Sequence, residues 1–145
     1  MTPLPDPALL VQAAGDAIIV ANPNGDIVVW NPAAERVFGF AADEAIGKSL
    51  DLIIPDRFRQ RHWDAWHQMM SNGHTKYAQD VLKVPALHRD GHKLSIAFSV
   101  ALLPPDGQNI EFIVAIARDE TDRWNNEQQL RKRLADCEKQ STEIR

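Results

Sequence analysis

The residue with the clearest capacity for chemistry is His62, which lies in the segment 55–72 (PDRFRQRHWDAWHQMMSN). Pro55 favours a helix start and Gly73 is a stop signal, so the segment predicts a helix. At about 100° per residue, one side of this helix carries His62 among apolar side chains: Phe58, Ala65, Trp66 and Met69. A neutral imidazole on an apolar face can give one axial bond to the iron of a b-type haem. His62 is therefore a candidate metal ligand.

Other chemistry in the chain has less support. The alternative for His62 itself is a partly buried structural histidine that hydrogen-bonds to a neighbour. His67 lies five residues further on, a poor match for the i, i+4 pair that places two zinc ligands on one helical face. We expect His74, His88 and His92 to be exposed, because they lie in or near predicted turns. No nucleophile with a positioned base and no phosphate-binding glycine loop is evident, so we do not expect an enzyme.

The elements that must position this helix begin with a predicted hairpin. The apolar runs 17–20 and 27–30 are typical of strands, and the intervening PNGD sequence at 23–26 contains the glycine that a tight turn needs. Asn31 and Pro32 then favour a helix start, because asparagine accepts a hydrogen bond from a free helical amide and proline suits the first helical position.

The remaining segments complete an α+β arrangement. We predict a five-stranded antiparallel sheet with helices on one face, flanked by an N-terminal helix (1–14) and a C-terminal helix (121–145) around a domain at 15–120. The later predicted elements are a helical turn at 43–46 and strands at 75–87, 92–103 and 109–117. Apolar residues of these strands are candidates to line a chamber, and core packing explains them equally well: Ile96, Phe98, Val100, Leu102, Ile113 and Ile116.

The C-terminal segment carries a short heptad pattern. Its seam residues, Leu130, Leu134, Cys137 and Ile144, are separated by four, three and seven positions. This repeat is too short for a strong coiled coil alone, so it predicts half of a weak homodimer or a partner-docking helix. A solvated amphipathic tail remains the alternative.

Several motifs in order resemble the PAS family of sensor domains. They are 16–18 (DAI), 24–27 (NGDI), 30–40 (WNPAAERVFGF), 44–50 (EAIGKSL), 54–55 (IP), 89–91 (RDG) and 118–121 (RDET). The resemblance implies a sensory module that binds a small ligand or cofactor in its core. It also implies a relay through Asp119 and Thr121 to the terminal helix, and a histidine kinase or other signalling protein, including a regulator of transcription, as partner. Glu120 departs from the aliphatic residue usual there. The alternative is an interaction module without a cofactor.

A narrower resemblance concerns the haem. The pattern Pro55, Asp56, Arg59, Arg61, His62, followed by Arg-Asp-Gly, is similar to the FixL family of haem PAS domains. That resemblance implies that His62 carries the iron. It also implies that Leu82 stands where those proteins have an arginine that reaches bound oxygen. An apolar side chain there favours carbon monoxide, nitric oxide or a redox role.

Composition excludes some classes of function. The net charge of −4 gives no basic surface for phosphate contacts, so direct nucleic-acid binding is not expected. No stretch approaches the roughly 20 apolar residues of a membrane span, and the N-terminus lacks the features of a signal peptide. Cys137 is the single cysteine, which fits a reducing compartment. These features predict a cytoplasmic protein.

Overall fold

The fold is built on a five-stranded antiparallel sheet in the order β2-β1-β5-β4-β3. The structure, a computed structural model, describes residues 2–75 and 80–144, with side chains described up to residue 140. Its strands are β1 (Ala17–Ala21), β2 (Ile27–Trp30), β3 (Leu82–Leu87), β4 (Lys93–Leu103) and β5 (Phe112–Asp119). The sheet and its helices confirm the predicted α+β fold.

The helices follow the predicted order, with one addition. They are α1 (Pro7–Ala13), α2 (Pro32–Phe38), α3 (Ala42–Ala45), α4 (Asp56–Asn72) and α5 (Thr121–Ile144), with a 3₁₀ helix (Leu50–Ile53) before α4. The 3₁₀ helix was not predicted. Ser49 begins it, because its hydroxyl accepts a hydrogen bond from Asp51 N at 3.1 Å.

Two strands start later in the chain than the sequence predicted. Strand β3 begins at Leu82, and residues 76–79 of the predicted strand 75–87 lie outside the described residues. Strand β5 begins at Phe112 because Asn109, with φ of 53°, still belongs to the preceding turn. A left-handed residue interrupts the extended backbone that pairing requires.

One face of the sheet forms the core. Side chains alternate between faces along a strand, so β1 buries Ala17, Ile19 and Ala21 while the residues between them are less buried. Strand β4 buries Leu94, Ile96 and Leu102 on the same face. Helices and the 3₁₀ helix cover this face with Ala34, Phe38, Ala45, Ile53 and Trp66.

Asn31 makes four side-chain hydrogen bonds from a fully buried position. Its Oδ1 accepts hydrogen bonds from Ala34 N at 3.0 Å and from Ile18 N at 2.9 Å, which caps α2 and holds β1. Its Nδ2 donates to Val11 O at 2.9 Å and to Asp16 O at 3.1 Å. One side chain thus links α1, β1 and α2.

The turn between β1 and β2 requires a glycine for two reasons. Gly25 has φ of 87°, a region that residues with a Cβ rarely adopt. The ring of Trp63 from α4 also lies directly over it, where a Cβ would collide. Because Gly25 has no side chain, Trp63 of α4 can pack directly against the hairpin.

Among the described residues, no helix has both the length and the apolar character needed to cross a bilayer.

Candidate functional site

Helix α4 is held in place by two tryptophans and an arginine. Trp66 donates through Nε1 to Pro23 O at 3.0 Å, and Trp63 donates through Nε1 to Asp51 Oδ1 at 2.8 Å. Arg59 donates through Nε to Ile54 O at 3.1 Å. These bonds attach the helix to the β1–β2 turn and to the 3₁₀ helix, and they fix which face of α4 is turned inward.

His62 lies beside two tryptophan rings that also contact each other. Its ring centroid is 4.5 Å from that of Trp63, edge to face, and 5.8 Å from that of Trp66. Burial lowers the pKa of His62, and the negative charge of Asp51 acts in the opposite direction. Because the ordinary histidine pKa is about 6.5 and burial lowers it further, the imidazole is neutral at pH 7.

The Nδ1 atom of His62 is buried and has no hydrogen-bond partner among the residues that the structure describes. Buried polar atoms are nearly always paired, because an unpaired one loses its hydrogen bonds to water without compensation. The alternative of a structural histidine bonded to a neighbour through this nitrogen therefore has no support in the described part of the chain. An unpaired, neutral ring nitrogen in an apolar setting is suited to a ligand.

The inner face of the sheet, against which Trp66 of α4 packs, carries an apolar wall. Leu82 and Val84 of β3 pair with Phe98 and Ile96 of β4, and Val100 follows on the same face. Leu82, Val84, Phe98 and Val100 are only half-buried, whereas Ala17, Ile19, Ile113 and Ala117 on the central strands are buried. The patch formed by these four residues is thus less completely covered than the centre of the sheet and than its neighbours on the same two strands, which are buried: Ala86, Leu94, Ile96 and Leu102.

The structure places most predicted lining residues on these two surfaces. Phe58 and Met69 are half-buried on α4, and Met69 and Val100 pack against the buried Trp66, Leu102 and Ile113. Ile96 is buried in the neighbouring part of the core, against which Phe98 packs.

Ile116 does not join them, and its assignment to the chamber is corrected. It lies three residues after Ile113, so the alternation of the strand turns it to the opposite face, where 44% of it is exposed. Asp16 and Arg118 lie beside it, joined by a 3.1 Å ion pair.

The residues present fit haem. The donor is a neutral imidazole whose Nδ1 is unpaired within the described residues, and the rings in contact with it are those of Trp63 and Trp66, with the charge of Asp51 also acting on it. A haem held by one protein ligand needs that combination. Leu82 is half-buried on the wall and has no hydrogen-bond donor in its side chain.

The predicted relay residues lie where β5 meets α5. Asp119 Oδ1 accepts hydrogen bonds from Thr121 N at 2.9 Å and from Thr121 Oγ1. Thr121 Oγ1 in turn accepts from Ser95 N at 3.0 Å, and Glu120 N donates to Ser95 O at 2.7 Å. The first turn of α5 is therefore bonded to β4, the strand that carries part of the apolar wall.

A second group of potential ligands was missed at the sequence level. His88, Asp90 and His92 meet at the β3–β4 turn. His74 and His92 are exposed as expected, but His88 is half-buried. The spacing of His62 and His67 concerns only zinc ligands that share one face of a helix. A tight hairpin also brings residues four apart together, and the signal that could have revealed this group is histidine on either side of Arg-Asp-Gly.

Comparison with known proteins gives one family. The PAS-fold family matches residues 6–120. The chain is similar to the oxygen sensor protein DosP of Escherichia coli strain K12, with 25% identity over 87% of this chain and 15% of that protein. It is similar to the sensor protein FixL of Bradyrhizobium diazoefficiens, with 27% identity over 85% of this chain and 24% of that protein. The chain thus spans less than a quarter of these two relatives.

The fold is also that of a solved structure. The PAS domain of a protein from Colwellia psychrerythraea superposes with a TM-score of 0.69 over 79% of this chain and 94% of that chain. The sequence identity is 22%, so the likeness concerns the fold.

Proposed function

The chain belongs to the PAS family, and from this premise we propose that it is a sensory domain that holds haem b through His62. The observation that carries the proposal is the buried and unpaired Nδ1 of His62, which marks an imidazole without a partner in the described core. The names of two relatives, an oxygen sensor protein and a sensor protein, support the class of function.

Each residue of the site has a distinct part in this proposal. His62 would hold the haem iron through a ring nitrogen, and its lowered pKa keeps the imidazole neutral at pH 7, so that one of its two nitrogens has a free lone pair. Apolar side chains exclude water and enclose the macrocycle: Phe58, Met69, Leu82, Ile96, Phe98, Val100 and Ile113. When bound, haem supplies an iron that takes a diatomic gas or changes oxidation state. Because Leu82 offers no donor to a bound oxygen molecule, we favour carbon monoxide, nitric oxide or redox state as the signal.

The output passes through β4 in this proposal. A change at the wall residues Phe98 and Val100 shifts the population of arrangements of the strand that also holds Ser95. Ser95 contacts Thr121, which Asp119 holds at the start of α5. We propose that α5 then changes its orientation or its partner. The chain itself carries no output enzyme in this scheme, and a histidine kinase or another signalling protein receives the signal.

Titration with hemin tests the proposal. The apoprotein should give a Soret band that saturates at one hemin per chain, and His62→Ala should bind at least about tenfold more weakly, since even residues behind a metal ligand change affinity by that factor. Visible absorption measures both quantities. The control is His67→Ala, which removes an exposed histidine from the same helix and should leave the band unchanged.

Two results would contradict this assignment. An equal Soret band in His62→Ala would exclude His62 as the ligand. Absence of a saturable band in the wild-type protein would exclude haem and leave the second candidate function.

The second candidate is an interaction module, and the exposed face of α5 favours it. Trp124, Leu130 and Leu134 are 49%, 62% and 62% exposed, which is high for large apolar side chains on one helix. Leu130 and Leu134 are four residues apart and lie on one side of the helix. We propose that this face pairs with a second copy or with the helix of a signalling partner.

Charge substitution on that face tests the pairing. In Leu130→Glu/Leu134→Glu the dimer should dissociate at least about tenfold more readily, because two apolar contacts, each of about 1.5–3 kcal/mol, are replaced by like charges. Sedimentation velocity over a concentration series measures this. Gln128→Glu/Gln129→Glu is the control with the same added charge. A mass independent of the leucine substitutions would count against α5 as the dimer contact.

A further inference from the structure

The turn between β3 and β4 brings three metal-ligating side chains together. His88 N donates to His92 O at 3.0 Å, which closes the hairpin, and the two imidazoles stack with centroids 4.5 Å apart and planes at 20°. Asp90 Oδ1 lies 3.2 Å from His88 Nδ1 and in contact with His92 Nδ1. One donor atom from each of the three residues lies within 4.8 Å of the others.

His88 Nδ1 has two polar neighbours in Asp90. Asp90 N lies 3.2 Å from it, at the distance of an amide that donates to a lone pair, and Asp90 Oδ1 also lies 3.2 Å from it, at the distance of a carboxylate that accepts from a protonated ring. Only one of these bonds forms at a time, because the first requires a lone pair on Nδ1 and the second a proton. A divalent ion bound between Nδ1 and Oδ1 takes the place of that proton and, like it, displaces the bond from Asp90 N.

The separation between the His88 and Asp90 donor atoms suits a small divalent ion. Two ligands bound tetrahedrally to zinc at about 2.0–2.1 Å lie about 3.3 Å apart. The 3.2 Å between His88 Nδ1 and Asp90 Oδ1 is close to that value. Two imidazoles with one carboxylate favour zinc and its neighbours over magnesium or calcium, which prefer oxygen ligands alone.

Contacts with α2 and α3 hold the conformation of the β3–β4 turn. His88 packs against α2, where a Cβ on Gly39 would lie 2.6 Å from Nε2, so Nδ1 is the nitrogen turned toward Asp90. Arg89 N donates to Phe38 O at 2.9 Å, and the Arg89 guanidinium pairs with Glu44 at 2.6 Å. The Asp90 carboxylate is oriented by His92 N, which donates to it at 2.9 Å. His88 and Asp90 are thus held before an ion binds and lose little freedom on binding, whereas the exposed His92 ring must turn out of the stack to direct its lone pair at the same ion.

We propose that His88, Asp90 and His92 form a binding site for a divalent transition-metal ion, with zinc as the best match and water in the fourth position. The ion joins the ends of β3 and β4 beside α2 and α3. Ser95, which contacts Thr121 at the start of α5, is three residues from His92. The site therefore lies close to the proposed relay and does not involve His62.

Calorimetric titration of the untagged, haem-free chain with zinc chloride tests the proposal. The wild-type protein should bind one zinc ion, and His92→Ala and Asp90→Asn should each bind at least about tenfold more weakly. His74→Ala removes an exposed histidine outside the group and should bind as the wild type does. Far-ultraviolet circular dichroism of each variant verifies that it is folded.

Cobalt provides a second readout at the same ligands. Cobalt(II) in the wild-type protein should show the strong visible bands of a tetrahedral ion, and His92→Ala should lose them. Zinc binding of equal strength in His92→Ala, or absence of one-to-one binding in the wild-type protein, would overturn the proposal. His62→Ala should bind zinc normally, so failure of the haem assignment and failure of the zinc site are separate results.

Discussion

Replacement of Asn31 by alanine is expected to lower the free energy of unfolding by about 3–5 kcal/mol. The side chain is fully buried and makes four hydrogen bonds, two as acceptor and two as donor. Alanine removes the cap of α2, worth about 0.5–2 kcal/mol, and leaves Ile18 N and two carbonyl groups without this partner. Each buried group so orphaned adds about 1–3 kcal/mol, partly offset by relaxation. Urea unfolding followed by circular dichroism measures the change.

Two further variants separate the causes. Asn24→Ala removes an asparagine from the exposed β1–β2 turn and should change the stability by less than about 0.5 kcal/mol. Asn31→Asp retains the acceptor for Ala34 N and loses the donor to Val11 O and Asp16 O. It should therefore preserve the cap while placing a carboxylate against two carbonyls. Stability of Asn31→Ala within about 1 kcal/mol of the wild type would show that this network adds little net stability.

Asn31 also shows what the sequence could and could not predict about the fold. The Asn-Pro pair after an apolar run predicted the helix start, because capping depends on residues close in the chain. The bonds from Nδ2 to Val11 O and Asp16 O join residues 20 and 15 positions away, and no local pattern encodes them. The 3₁₀ helix was missed for a related reason, since its short turn has no hydrophobic period of its own.

The candidate site divides in the same way. The face of α4 that carries His62 follows from the helical period, and most wall residues follow from the alternation of β4. Which residues of β5 face the core depends on the register of its pairing with β1 and β4. The prediction that Ile113 and Ile116 both line the chamber overlooked their odd spacing, which places them on opposite faces. The environment of His62 depends on the approach of α4 to Gly25, which is a tertiary contact. The group of potential ligands formed by His88, Asp90 and His92 was missed because its geometry arises from the hairpin, which brings the two imidazole rings together.

The second large effect is expected at Trp66, which anchors the helix that carries His62. Its indole is 6% exposed and packs with Ala21, Leu102 and Ile113. It also lies 5.4 Å from the Trp63 ring and 5.8 Å from His62, centroid to centroid. Trp66→Ala should lower the free energy of unfolding by about 3–5 kcal/mol, because it removes a large buried ring and leaves a cavity. Circular dichroism during urea unfolding measures it without relying on the lost fluorophore.

Two further variants separate the packing of Trp66 from its hydrogen bond. Trp66→Phe retains most of the packing and loses the bond from Nε1 to Pro23 O, so about 1 kcal/mol is expected. Trp124→Ala, at a tryptophan 49% exposed on α5, is the control and should change stability by less than about 0.5 kcal/mol.

The loss of Trp66 should also change the pKa of His62, because this indole shields the imidazole. Since burial lowers the pKa of His62, loss of the neighbouring indole should move that pKa upward toward its ordinary value. Titration of the His62 ring by nuclear magnetic resonance measures the shift. An unchanged pKa in a folded Trp66→Ala protein would mean that the sheet and the 3₁₀ helix, rather than this indole, keep water from His62.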